Sequence, residues 1–239
     1  MGPVRFERLA QAVSPHTPYT PAMDAQLAAF VDDLYAMNAE INLTRVPLEQ
    51  CESRHLIDSA LLIPFLSTQA LVLDIGCGPG FPAWLLALLR PDISVVAMDS
   101  AHKMLRFMER HPLKNLSIRL QRAEEWVDRE AFDVVTGRAL APFAVQAELS
   151  APYVKIGGAF IPFRTPGEQE EIAAFPFGRL GLAQPEWHEV PLPGEETVRL
   201  FPVIRKEKAT PQTYPRSWAM IKKTPLGGLP GKGASRVGG

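Results

Sequence analysis

The chain has 239 residues and a net charge of −1, and 46% of its residues are hydrophobic, which fits one compact domain with an appendage. Its two cysteines, Cys51 and Cys77, cannot build a disulfide framework and lack metal-ligand spacing with histidines. We therefore expect no metal site and a reducing, cytoplasmic environment. No apolar run approaches the roughly 20 residues that cross a bilayer, and the N-terminus lacks a secretory signal, so we expect no membrane association.

The first part of the chain predicts helices. Four apolar residues spaced at i, i+3, i+4 and i+7 between residues 23 and 36 indicate one face of an amphipathic helix. A second helix is expected over residues 54–65. We therefore assign residues 1–66 to an N-terminal helical cap. The four apolar residues are Leu27, Phe30, Val31 and Leu34.

Beyond residue 66, short apolar strands alternate with helical segments. This pattern predicts an α/β domain over residues 67–208, with βαβ units, a mostly parallel sheet and helices on both of its faces. Residues 153–158 are interpreted as a helix stop before the fifth strand. Strands are predicted at residues 71–75, 94–98, 117–120, 132–136, 159–162, 187–190 and 198–204.

The turn after the first strand is rich in glycine. Gly76, Gly78 and Gly80 alternate in a GxGxG pattern, which lets the backbone turn tightly and approach a ligand closely. The dinucleotide fingerprint is GxGxxG, so the third glycine is displaced here. Asp74 precedes the glycines, and a carboxylate at that point disfavours a phosphate but suits a cationic or amino-acid group. The loop resembles the S-adenosylmethionine site of a class I methyltransferase more than an NAD site, and an ordinary glycine-rich turn is the alternative.

Two acidic positions follow the next strands. Asp99 ends the second strand 23 residues after Gly76, near the spacing at which an acid accepts the hydroxyl groups of a ribose. Ala123 and Glu124 follow the third strand, where a backbone amide and a carboxylate can reach an adenine ring. A surface acid at a strand end and an acidic helix N-terminus are the alternatives.

Arg138 stands at the end of the fourth strand among apolar residues. A guanidinium is costly to bury without a partner, so we favour a functional role at the edge that faces the transferable group over a structural ion pair. Because a guanidinium cannot act as a base, we expect it to anchor the carboxylate of a cofactor or to hold the acceptor base or its phosphate.

The C-terminal part of the chain is basic. From Arg205 to the end, eight Lys or Arg residues accompany the single Glu207, a net charge of +7 that leaves −8 for residues 1–204. A solvated tail and attraction to nucleic acid are both open interpretations. We assign residues 209–239 to a basic tail, and we expect residues 226–239 to be disordered.

Several of these segments together carry a family resemblance: residues 38–44, 55–59, 73–82, 98–103, 122–125, 137–139 and 214–216. In this order they resemble the bacterial small-subunit (16S) ribosomal RNA guanine-N7 methyltransferases, the RsmG or glucose-inhibited division protein B family. The resemblance covers roughly residues 25–226. The chain departs from the family pattern at Met37, Ala60 and Met104, and the last of these removes a possible RNA contact.

The resemblance implies a Rossmann-like class I fold and transfer of a methyl group from S-adenosylmethionine to N7 of a guanine, which leaves S-adenosylhomocysteine. The implied partner is small-subunit ribosomal RNA within the small ribosomal subunit, and we expect a monomer. Implied cofactor-binding residues are Asp74, Gly76, Gly78, Gly80, Phe81, Asp99, Ser100, Ala101, Ala123, Glu124 and Arg138, with Arg138 also positioning the reactants. Expected RNA-binding residues are Lys103, Arg106, Arg216, Lys222 and Lys223.

The chemistry of this acceptor agrees with the chain. N7 of guanine carries a lone pair at neutral pH, so alignment in a water-poor cleft suffices and no general base is assigned. Carbon-5 methylation of a pyrimidine needs a nucleophilic cysteine, and Cys77 is interpreted as a small buried residue. Two alternatives stay open. A small-molecule methyltransferase is disfavoured by the basic tail, and an RNA-binding ribosome-assembly factor with a vestigial cofactor pocket is disfavoured by the intact glycine loop.

Overall fold

A computed structural model describes residues 4–126 and 128–227. Its strands are β1 (Leu71–Ile75), β2 (Ser94–Asp99), β3 (Leu116–Leu120), β4 (Phe132–Thr136), β5 (Val154–Phe160), β6 (Glu186–Pro191) and β7 (Val198–Arg205). They form one seven-stranded sheet in the order β3-β2-β1-β4-β5-β7-β6. The predicted strands are confirmed, with small shifts at their ends except at β5.

The α-helices are α1 (Glu7–Val13), α2 (Pro21–Ile41), α3 (Asp58–Ala60), α4 (Ala83–Leu89), α5 (His102–Met108), α6 (Phe143–Ser150), α7 (Gln169–Ala173) and α8 (Trp218–Lys223). Within the described ranges, no helix is both long enough and apolar enough to cross a membrane. The predicted helix over residues 54–65 is broken into a π-helical turn at Glu52–Ile57, the short α3 and a 3-10 turn at Ile63–Phe65.

The direction of the sheet determines where a ligand can bind. Strands β1 to β5 pair in parallel, and β7 and β6 complete the sheet in antiparallel fashion. From β1 the chain first moves outward through β2 to β3 and then crosses to β4 on the other side of β1. Such a reversal opens a crevice at the carboxyl ends of the strands, which is where ligands bind in open α/β sheets.

Strand β5 begins at Val154, so the interpretation of residues 153–158 as a helix stop is wrong. Gly157 has a φ of +83°, which a glycine adopts without strain, and a Cβ at Gly158 would lie 2.7 Å from the carbonyl oxygen of Asp133. The two glycines therefore let β5 bend closely against β4, and the pairing register of β4 and β5 is irregular at this point.

Helix α2 packs as the sequence predicts, and it belongs to the core of the domain. All four predicted apolar residues of its stripe have no exposed surface. Phe30 stacks on Trp84 of α4, with ring centres 3.9 Å apart, and meets Phe81 and Phe107 edge-on. The N-terminal helices therefore cover one face of the sheet and share its hydrophobic core.

The other face of the sheet carries α6 and α8, which an ion pair joins. Glu148 of α6 has no exposed surface, and Arg216 donates to it from Nε at 2.8 Å and from Nη2 at 2.6 Å. Ile221 and Leu226 are buried on the same side. The expected basic tail is thus folded onto the domain, and the predicted disorder is wrong at its first residue, the buried Leu226. The predicted disorder from residue 228 onward lies outside the described residues.

We expect Phe30→Ala to lower the free energy of unfolding by about 3–5 kcal/mol, because the change leaves a cavity beneath Trp84. Urea unfolding measures this loss. Leu48→Ala is the matched control, since Leu48 is 48% exposed, and its effect should stay within about 0.5 kcal/mol. An equally small effect of Phe30→Ala would mean that α2 is a detachable cap.

Candidate active site

Two adjoining cavities open at the carboxyl ends of the parallel strands. The first, here called the strand-end cavity, has a volume of about 350 Å³, and the second, the basic cavity, has a volume of about 520 Å³. Gly76 and Ala139 line both, so one ligand can extend from the first into the second. The strand-end cavity is lined by Ile75, Gly76, Met98, Asp99, Ser100, Gln121, Arg122, Ala123, Glu124, Ala139, Leu140, Leu149 and Trp218.

The three glycines of the loop have different roles: Gly76 and Gly78 line the cavities, whereas Gly80 allows close packing inside the fold. Gly78 lines the basic cavity with a φ of +54°, and a Cβ there would meet no atom within 4 Å. In contrast, a Cβ at Gly80 would lie 2.8 Å from Cβ of Trp84. Gly80 therefore allows α4 to pack closely, and it lines neither cavity.

Asp99 is oriented by the backbone around it. Its carboxylate accepts a hydrogen bond from Gly78 N at 2.9 Å and another from Ala101 N at 2.8 Å. Asp99 and Ser100 line the strand-end cavity, whereas Ala101 does not. A carboxylate has about four acceptor positions, so Asp99 can still accept the hydroxyl groups of a ribose.

Asp74 lies beneath the loop and outside both cavities. Its Oδ2 accepts a hydrogen bond from Ala83 N at 3.0 Å at the start of α4, whereas its Oδ1 is buried without a partner among the described residues. Burial raises the pKa of Asp74 to about 7, and the negative charge of Asp99 adds to this effect. The sequence prediction that Asp74 contacts the cofactor directly therefore gains no support from its position.

Arg138 lies in the wall of the basic cavity and bonds to the helical segment that follows α2. Its Nη1 donates to the carbonyl oxygen of Arg54 at 2.6 Å and to Oδ2 of Asp58 at 2.9 Å, and its Nη2 donates to Nδ1 of His55 at 2.9 Å. Asp58 has no exposed surface and is also bound by Arg199, whose Nη2 lies 2.9 Å from Oδ2. Arg138 therefore forms the structural ion pair that was the alternative to a functional role. It also lines the cavity in which that role is expected.

His55 is a neutral ring held between three groups. Because Nδ1 accepts a hydrogen bond from Arg138, the proton sits on Nε2 and is donated to Oγ1 of Thr44 at 2.7 Å. Burial, with the positive charges of Arg138 and Arg54, lowers the pKa of His55 to about 3. The ring also stacks on Phe81, with centres 4.4 Å apart. His55 therefore builds the cavity wall and is not free to take up a proton.

The charge of the basic cavity is strongly positive. Its five arginines face two acids, Asp58 and Glu168, so the lining carries a net charge of +3. A cavity with this excess favours an anionic or acceptor-rich ligand such as a nucleotide. The arginines are Arg45, Arg54, Arg138, Arg164 and Arg199.

The expected RNA-binding residues fall into two groups. Lys103 is exposed, and its Nζ donates to the carbonyl oxygens of Ile41 and Asn42 at the end of α2. Arg216 forms an ion pair with Glu148. Lys103 and Arg216 therefore both make contacts within the fold. Arg106, Lys222 and Lys223 are exposed.

The cavity-lining residues that the sequence analysis did not predict come from distant parts of the chain. Thr44, His55 and Asp58 lie in segments that carried the resemblance, which is the signal that could have found them. Arg199 on β7 and Trp218 on α8 gave no such signal, because only the folded chain brings them to the cavities.

The sheet order, the glycine loop and the acid at the end of β2 define the class I S-adenosylmethionine-dependent methyltransferase fold. A putative methyltransferase solved in complex with the Haloferax volcanii Trm112 methyltransferase activator has this fold. It matches with a TM-score of 0.53 at 15% identity, covering 75% of this chain and 98% of that chain.

The family described as rRNA small subunit methyltransferase G matches residues 23–179. The ribosomal RNA small subunit methyltransferase G of Lachnoclostridium phytofermentans is 37% identical, over 84% of this chain and 88% of its own. That of Macrococcus caseolyticus is 36% identical, over 87% of this chain and 92% of its own. The chain belongs to the rRNA small subunit methyltransferase G family and is an enzyme that uses S-adenosylmethionine.

We expect Asp74→Asn to flatten the dependence of stability on pH. The pKa of Asp74 is raised from 3.8 to about 7, so the folded parent loses stability as the pH rises through this range. Between pH 4.5 and pH 8 the difference amounts to about 3 kcal/mol, since one pKa unit is worth about 1.4 kcal/mol and the unfolded carboxyl is already mostly ionised at pH 4.5. Urea unfolding of both proteins without cofactor, from pH 4.5 to pH 8, measures it. Parallel curves for parent and variant would show that Asp74 is not protonated in the fold.

We expect Gly78→Val to abolish binding of S-adenosylhomocysteine while the protein still folds, because the new side chain projects into the basic cavity from a strained backbone. Gly157→Val is the matched control: Gly157 also has a positive φ and open space around it, but it lies outside both cavities. Calorimetric titration of both variants separates backbone strain from loss of the site. Parental affinity in Gly78→Val would contradict the assignment of this loop.

Proposed function

We propose that this enzyme transfers the methyl group of S-adenosylmethionine to N7 of a guanine in small-subunit ribosomal RNA. The observation that carries the proposal is the junction of the two cavities at Gly76 and Ala139. A carboxylate suited to ribose hydroxyls lies on one side of this junction, and an arginine-lined space suited to a nucleotide lies on the other.

The residues of the strand-end cavity fit the adenosine half of the cofactor. Asp99 accepts the ribose hydroxyls, and Ser100, Ala123 and Glu124 surround the base. Asp74 supports the glycine loop from beneath, where its Oδ2 accepts a hydrogen bond from Ala83 N. When bound, the cofactor supplies an activated methyl group on a sulfonium. The protein aligns this group with its acceptor and excludes water.

The polar groups of the basic cavity suit an acceptor that needs no general base. His55 is neutral and its Nδ1 is occupied, and both oxygens of Asp58 are bound by arginines. Neither His55 nor Asp58 is therefore free to remove a proton, and the second acid of the lining, Glu168, accepts hydrogen bonds from Arg164 and Thr165. N7 of guanine has a lone pair at neutral pH, so the reaction requires only that the guanine be held in line with the methyl group.

The same cavity favours guanine over adenine. Guanine presents an acceptor at O6 where adenine presents an amino donor, so a wall of arginine donors discriminates between them. Cys77 lines the cavity, but burial raises the pKa of its thiol well above the usual range. A protonated thiol does not support the covalent chemistry of carbon-5 methylation of pyrimidines.

The proposed setting is the small ribosomal subunit, with the enzyme acting as a cytoplasmic monomer. Residues 1–66 and 67–208 together form the catalytic body, and residues 209–239 contribute RNA contacts. Because Arg216 bonds to Glu148, these contacts rest on Lys222 and Lys223. Arg106 is a further exposed cation, on α5.

The direct test of the function is transfer of a tritiated methyl group to small subunits that lack the modification, followed by nucleoside analysis. The expected product is 7-methylguanosine. Cofactor binding without methylation of the subunits would favour a small-molecule methyltransferase. RNA binding without any cofactor binding would favour an assembly factor.

Arg138→Ala should lower the rate of methyl transfer by a factor on the order of 10²–10³, because it removes a charge-assisted positioning contact. Arg138→Lys should recover only part of the rate, since one ammonium cannot bond to Arg54, His55 and Asp58 as the guanidinium does. Arg110→Ala, which breaks an exposed ion pair with Asp33, is the control. Tritium transfer is measured beside a thermal melt. A parental rate in a stable Arg138→Ala would make Arg138 purely structural.

Replacing both Lys222 and Lys223 with Ala should weaken RNA binding and reduce the slope of log affinity against log salt by about two. Lys114→Ala is the control. Lys114 is exposed and precedes the N-terminal end of β3, whereas the cavities lie at the carboxyl ends of the strands. The affinity for S-adenosylhomocysteine should change by no more than about twofold. If parent and double variant bind RNA with the same affinity at every salt concentration, these lysines do not contact the RNA.

A further inference from the structure

The strand-end cavity has both polar and apolar lining residues. Asp99 and Ser100 at the end of β2 contribute polar groups, whereas Leu149 of α6 and Trp218 of α8 contribute apolar surface. Trp218 comes from the C-terminal helix, outside the strands and turns that supply most of the lining. The indole of Trp218 therefore lines the cavity although this residue is distant in sequence from most of the other lining residues.

The position of Trp218 is fixed by its anchored helix. Arg216, two residues earlier, bonds through its backbone N and its guanidinium to the buried Glu148. Three residues later, Ile221 has no exposed surface. Glu148 directly precedes Leu149 on α6, so its ion pair with Arg216 fixes Leu149 and Trp218, two of the apolar residues of the lining, relative to each other.

Contacts of the indole also join it to the predicted adenine-binding turn. The guanidinium carbon of Arg122 lies 5.9 Å from the centre of the Trp218 ring, and Nε of Arg122 donates to Oε1 of Glu124 at 2.7 Å. Nζ of Lys222 lies 5.8 Å from the same ring. Trp218 is only partly buried, so part of its ring surface is available to a ligand.

We propose that Trp218 is a cofactor-binding residue and that the adenine of S-adenosylmethionine stacks against its indole. An adenine has two apolar faces and polar edges, and this cavity offers an aromatic wall together with polar groups near Asp99. Stacking of a base on an aromatic side chain is favourable because it buries both π-faces. The inference rests on the proposed placement of adenosine in the strand-end cavity.

The competing role for Trp218 is to anchor α8 without touching the cofactor. Trp218→Leu keeps apolar bulk but lacks an aromatic face, and Trp218→Phe keeps an aromatic face. Calorimetric titration with S-adenosylhomocysteine should give a Kd about tenfold higher for the Leu variant and within about threefold of the parent for the Phe variant. Tryptophan fluorescence gives a second reading: much of the ligand-induced change in the parent should be lost in Trp218→Phe although this variant still binds.

Parental affinity in Trp218→Leu would overturn the inference, and so would a full fluorescence change in Trp218→Phe. Equal losses of affinity in both variants, together with lower melting temperatures, would assign Trp218 to anchoring and would also overturn it. Met220→Ala on the exposed side of α8 controls for changes to the helix. If the parent itself fails to bind S-adenosylhomocysteine, the proposed function fails. If Gly78→Val loses binding but Trp218→Leu does not, only the role of Trp218 fails.

Discussion

The carboxylate of Asp58 holds the basic cavity together. It has no exposed surface, and two arginines from different strands bind it: Arg138 after β4 and Arg199 on β7. Removing either arginine leaves a buried charge with fewer partners, and breaking a buried pair in this way costs about 3–5 kcal/mol. The cluster therefore fixes the end of β4, where methyl transfer is proposed, against the segment after α2. His55 extends the same network to Thr44 and stacks on Phe81 of the glycine loop.

Both ends of the chain complete the site that the sheet begins. The stack of Phe30 on Trp84 joins α2 to α4, and the pair of Glu148 and Arg216 joins α8 to α6. The first contact lies behind Phe81 of the basic cavity, whereas the second fixes Leu149 and Trp218 of the strand-end cavity. A class I sheet by itself supplies the glycine loop and the acid at the end of β2. The additions before and after the sheet supply further walls of the two cavities.

Local features of the sequence predicted much of the fold. Buried strands and turn glycines leave local patterns, so β1, β4 and the GxGxG loop could be placed from the sequence, as could the apolar stripe of α2. The start of β5 could not, because Gly157 and Gly158 have the composition of a helix stop but permit a bend within a strand. The difference depends on the backbone of β4, which the sequence pattern does not contain.

The site was less predictable than the fold because charged residues found protein partners. Asp74 and Arg216 have the residue types of ligand contacts, but one is buried beneath the loop and the other bonds to Glu148. Arg199 lies 141 residues from Asp58, and Trp218 lies 96 residues from Arg122, so no spacing rule brings them to the cavities. Residues of this kind can be recognised as part of the site only when the tertiary contacts are known.

The most direct test of this account is the structure of the enzyme bound to S-adenosylhomocysteine. The account predicts adenosine in the strand-end cavity, between Asp99 and Trp218, with the sulfur at the junction beside Gly76 and Ala139. The amino-acid end should extend past this junction to Gly78, with the rest of the basic cavity left open for a nucleotide. Adenosine bound among the arginines of the basic cavity, or a ligand outside both cavities, would contradict it.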